Sequence, residues 1–127
     1  MTNAYWCVLI AIILPYVWAM TSKMPSVKQG AYDNNSPRKQ AADYEGVSLR
    51  ASWAQANSWE ALPGFAIAVI IAHLAAANQA TIDMIAYIFI VARILYGVSY
   101  IKDWATLRSA VWTIGFGCII ALFVVSA

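Results

Sequence analysis

Charge is what this sequence has least of. Only 11% of its 127 residues are charged, while 62% are hydrophobic; an average soluble domain carries about 25% charged residues. That balance excludes an ordinary soluble domain. A net charge of only +2, with no clustered basic stripe, excludes a nucleic-acid-binding surface. Histidine is nearly absent too, with His73 standing alone. No second His or Cys lies at ligand spacing, so no metal site is expected. The two cysteines, Cys7 and Cys118, form no CxxC and read as small buried apolar side chains. Glycine-rich phosphate loops, internal repeats and low-complexity tracts are also missing.

What is present is apolar length. Runs at 4–20, 61–77, 82–101 and 109–127 each approach the ~20 residues that cross a ~30 Å hydrocarbon core. The first lacks a cationic leader and a small-residue cleavage site, so it reads as a retained helix rather than a signal peptide. One polar stretch, 21–46, is rich in Pro, Gly, Asn and Ser and reads as a loop. A helix is expected to start at Pro37 and run through Arg50 into the membrane. The expectation is an all-α integral membrane protein: a single four-helix bundle with spans near 4–20, 47–77, 82–101 and 108–126.

Cations fix the expected orientation. Lys23, Lys28, Arg38, Lys39 and Arg50 border the first loop, and Lys102 and Arg108 border the third. The second loop, NQAT (78–81), has none. The positive-inside rule makes the first face cytoplasmic and leaves both termini outside. Asp83 is expected to cap or start the third span, and Pro15 and Pro63 to kink their helices. Trp18, Trp53, Trp59, Trp104 and Trp112 suit an interfacial belt.

Polar residues inside the spans form stripes. At 100° per residue, Arg50, Trp53, Asn57, Glu60 and Gly64 fall within an arc of about 80°, and Gln55 points roughly the opposite way. Arg93, Tyr96 and Tyr100 share an arc of about 60° on the third span. The depths match, so Arg93 is expected to meet Asn57 and Glu60. Intramembrane ionisable residues cost about 2.5–3.5 kcal/mol on insertion scales and by default mark function. Guanidinium groups, an amide, phenols and one carboxylate suit a small peptide with two carboxylates and one amine. An Arg93–Glu60 pair that merely locks helices together explains fewer of these residues.

Taken together, RASWAQANSWEALP (50–63), RILYGVSY (93–100), LRS (107–109) and YDNNSPR (32–38) resemble the MAPEG family, membrane-associated proteins in eicosanoid and glutathione metabolism, in its bacterial-type members. The resemblance covers essentially the whole chain. It implies a homotrimer, in a bacterial inner membrane, that binds glutathione as co-substrate between subunits near the cytoplasmic side. By position, Arg50, Asn57, Glu60, Arg93, Tyr96 and Tyr100 resemble its glutathione ligands. Gln55 resembles a ligand supplied by the adjacent subunit. Arg108, assisted by Tyr100, resembles the arginine that stabilises the glutathione thiolate. The implied activity is transferase- or peroxidase-like attack on lipophilic electrophiles dissolved among membrane lipids. Trp53 departs from the pattern, standing where active members often carry Arg. A non-catalytic lipid- or glutathione-binding protein of the same fold, or an accessory subunit of a membrane complex, are the rival readings.

Overall fold

The computed structural model describes all residues, 1–127, and contains five helices and no strand. They are α1 (Asn3–Lys28), α2 (Pro37–Ala42), α3 (Gly46–Leu74), α4 (Gln79–Ile101) and α5 (Ala105–Val124). Three of them, α1, α4 and α5, are long and apolar enough to cross a membrane. Helix α3 is the longest at 29 residues, but polar residues fill its first half.

Side-chain pairs fix the topology. Arg50 meets Ile101, Asn57 meets Arg93 and Phe65 stacks on Phe89. The α4 number falls as the α3 number rises, so these helices run antiparallel. Helix α1 runs parallel to α4, since Ala4 meets Asp83 and a side chain on Gly97 would meet Trp18. Helix α5 returns antiparallel, with Gly115 beside Arg93 and Arg108 over Tyr100. The result is an up-down-up-down bundle with both termini at one end and α2 in the connection at the other.

The core is built from small and flat side chains. Ala4, Ala11, Ala68, Ala72 and Ala86 bring backbones close, as expected where close packing replaces the hydrophobic drive between helices in lipid. Phe65 and Phe89 fill the centre, with ring centroids 3.8 Å apart and planes within 9°. Cys7 and Cys118 are unbridged, buried members of the same cluster.

Three local expectations are corrected. Helix α1 does not stop near residue 20 but continues to Lys28. It ends on a signal the sequence carries: Gly30 takes φ +67°, its N–H bonds Val27 O at 3.1 Å, and the Ala31 N–H bonds Ser26 O at 2.9 Å. That is the paired closure of a left-handed glycine end. The helix begun at Pro37 does not run into the membrane. It ends at Ala42, and a new helix starts at Gly46, whose φ of +54° breaks continuity. Asp83 caps the wrong helix for the sequence reading: its carboxylate accepts the Ala4 N–H of α1 at 2.9 Å and the Gln79 amide at 2.8 Å. The cap of α4 is Asn78, which accepts from the Thr81 N–H. Pro15 and Pro63 both lie inside their helices, α1 and α3.

The tightest approach sets a stability test. A Cβ on Gly97 would overlap the Trp18 ring, and Trp18 is itself buried. Gly97→Ala is expected to destabilise the protein by about 1–3 kcal/mol through overpacking, read as a lower thermal midpoint in detergent. Trp18→Leu in the same chain should restore much of the loss. An unchanged midpoint in the single variant would show that the two helices are not held this closely.

Candidate functional site

Three helices send polar side chains to one region. The α3 stripe supplies Trp53, Asn57 and Glu60, spaced at three- and four-residue steps that share a helix face. Helix α4 supplies Arg93, Tyr96 and Tyr100, and the first turn of α5 supplies Arg108.

Arg93 is the centre. It is only 4% exposed, and its Nη2 donates to Asn57 Oδ1 at 2.7 Å. The Asn57 amide in turn donates to Glu60 Oε2 at 3.0 Å. Arg93 therefore reaches Glu60 by way of Asn57, and the expected three-residue meeting is a relay rather than a direct ion pair. The guanidinium also sits 4.4 Å from the centre of the Tyr96 ring, where the ring face attracts a cation. Only one of its five N–H donors is spent on a side-chain acceptor, and the group faces a cleft. A buried cation held by neutral partners is well placed for an anion.

A second cation stands about two turns along. The Arg108 guanidinium lies 4.4 Å from the Tyr100 ring centre. Tyr100 packs edge-on against Tyr96 at 5.3 Å and faces Trp53 at 6.0 Å. Tyr100 thus serves as a shelf: its ring face holds Arg108 and two aromatics pack against it.

These groups, Tyr96 apart, line two adjoining clefts that share Asn57 and Glu60. The polar one, about 370 Å³, adds Trp53, Ala56, Tyr100 and Arg108. The other, about 320 Å³, runs from Arg93 along α3 and α5 to Phe89, Trp112, Phe116 and Ile119. One end of the combined space is charged and the other is greasy.

Three residues expected at the site lie outside both clefts. Tyr96 lines neither and instead packs against Arg93 and Tyr100. Arg50 donates from Nε and Nη2 to Ile101 O at 3.3 and 3.2 Å, so its guanidinium closes the end of α4. Gln55 lines neither cleft. Conversely, Trp112, expected only in an interfacial belt, lines the apolar cleft with Gly115 and Ile119, for which the sequence carries no expectation. Projecting α5 from Arg108 would have found them, since they fall within about 60° of one another at 100° per residue.

The model of the MAPEG family matches residues 3–127, and the chain belongs to that family. A direct comparison with curated proteins finds no match.

The relay sets a second test. Asn57→Ala removes the acceptor from a buried guanidinium and is expected to cost about 1–3 kcal/mol, whereas Glu60→Gln, at an exposed position, should be nearly neutral. Thermal unfolding of the two variants in one detergent checks the order; equal midpoints would remove the relay from the account.

Proposed function

We propose that this MAPEG-family chain is a glutathione-dependent membrane transferase that activates the glutathione thiolate against lipophilic electrophiles. In this reading α3 is the fourth membrane span and the bundle assembles as a homotrimer. The end carrying Arg50, Tyr100 and Arg108 faces the cytoplasm of a bacterial inner membrane, because the cations gather there.

The observation that carries the reading is the buried Arg93, tied to Asn57 and Tyr96 yet open to a cleft that shares Glu60 with the adjoining cleft of Arg108. Glutathione offers two carboxylates, one ammonium and one thiol. Arg93 and Asn57 would take a carboxylate through charge-assisted hydrogen bonds, and Glu60 would take the ammonium. Gln55, outside both clefts, is left free to serve a neighbouring subunit.

Arg108 addresses the sulfur. A free thiol ionises near pH 8.5, and only its thiolate is a strong nucleophile. A cation beside the sulfur favours the charged form and lowers that value. The thiolate attacks the electrophilic carbon, a C–S bond forms, and the leaving group departs with its electron pair; the thiol proton has already passed to water. The apolar cleft beyond Phe89 and Phe116 gives a lipid-dissolved electrophile a path to the sulfur, and holding both partners together supplies the rest.

Conjugation of glutathione to a small aryl halide tests this directly. Arg108→Ala should lower turnover by about 100-fold, the scale for removing one preorganised charge-stabilising donor, and move the pH midpoint of the rate upward. Tyr100→Phe should keep most activity, because the ring rather than the hydroxyl holds Arg108, whereas Tyr100→Leu should not. Saturable glutathione binding without turnover would select the non-catalytic binding protein instead. Absence of binding would leave the accessory-subunit reading.

A further inference from the structure

We infer that Arg50 is a positioning residue: by gripping the last carbonyl of α4 it fixes the corner from which Arg108 is presented to Asn57 and Glu60. The inference rests on the proposed role of Arg108 and assigns Arg50 a task different from ligand binding.

The corner is built in three parts. Helix α4 ends in the same paired closure as α1, with Asp103 in the left-handed region at φ 60°. The Asp103 N–H bonds Tyr100 O at 3.1 Å, and the Trp104 N–H bonds Ser99 O at 2.8 Å. Those two bonds occupy the carbonyls of Tyr100 and Ser99 and leave that of Ile101, the final helical residue, to be satisfied from elsewhere. Arg50 satisfies it from α3 with two donors on the one oxygen. A cation at this point also complements the negative end of the α4 dipole.

The third part links the clamp to Arg108. Helix α5 begins at Ala105, and the Arg108 N–H bonds Trp104 O at 3.0 Å. Only the turn 102–104 separates the gripped carbonyl from that first turn. Arg50 lies on the same helix as Asn57 and Glu60, about two and three turns before them. The clamp therefore joins the helix that carries one wall of the polar cleft to the corner that carries the other. With Arg50 outside the cleft, its effect on chemistry passes through the width of that gap. Lysine at this position keeps a cation but loses the planar fork.

The experiment compares wild type, Arg50→Met and Arg50→Lys as full chains in lipid or detergent. Hydrogen–deuterium exchange of the glutathione-free protein reads the corner itself. Arg50→Met should speed exchange across 102–108 and leave 3–20 unchanged, with Arg50→Lys between. With glutathione, Arg50→Met should lower kcat by about 10- to 100-fold, the scale for a catalytic group displaced by about an ångström. Glutathione affinity should stay within about threefold, since no ligand contact is lost, and Arg50→Lys should restore most of the turnover. Affinity falling in step with kcat would overturn the inference in favour of direct ligand contact. Unchanged exchange would overturn the clamp, and faster exchange with unchanged kcat would overturn its link to Arg108. If wild type binds no glutathione, the proposed function fails, while the exchange comparison still decides whether Arg50 holds the corner.

Discussion

The bond from Arg93 to Asn57 is the constraint around which the rest of this molecule is arranged. A guanidinium inside an apolar bundle is costly to leave bare. Here it is met by an amide oxygen from the neighbouring helix and the face of Tyr96 on its own. The bond fixes the register of α3 against α4, and with it the depth of everything else. Phe65 can stack on Phe89 only at that register, and Trp53 faces Tyr100 for the same reason. Because Asn57 is neutral, the cation is oriented without being neutralised. Structure and candidate chemistry therefore share one interaction.

Around that centre, helix ends do the fastening that side-chain packing cannot. Every helix leaves carbonyls and N–H groups without intrahelical partners. At the end with both termini, Asp83 of α4 takes the first-turn N–H at Ala4 of α1, and His73 of α3 lies within 3.2 Å of Gln79, which in turn holds Asp83. At the opposite end Arg50 of α3 takes the last carbonyl of α4. Both fasteners are charged side chains satisfying backbone groups on a different helix. Between them the core can rely on alanine and close approach, as at Trp18 over Gly97.

Much of this was legible in the sequence because helical periodicity needs no partner to be read. The stripes on the second and third spans placed Asn57, Glu60, Arg93, Tyr96 and Tyr100 on facing surfaces, and the structure brings Arg93 to Asn57. Periodicity says which way a side chain points but not what waits there. Arg50 projects onto the same face as Asn57, yet it lies at the level of a helix end, where a free carbonyl competes for it. Asp83 looked like a cap for its own helix because the N–H it serves is 79 positions away. The stop at Gly30 was written locally, in a lysine-bearing last turn followed by glycine, but loop-like composition over 21–46 concealed it. The apolar cleft was hidden differently: its α5 wall lies on the stripe of Arg108, and an apolar stripe within an apolar helix carries no contrast.

The central claim is that the Arg93 cluster recognises an anionic peptide thiol. The most direct measurement is calorimetric titration of the purified protein with glutathione and with glutathione whose two carboxylates are esterified. The account predicts saturable binding of glutathione that weakens by at least about tenfold, or about 1.4 kcal/mol, when the carboxylates are capped. Equal affinity for the two forms, or no saturable binding of either, would contradict it.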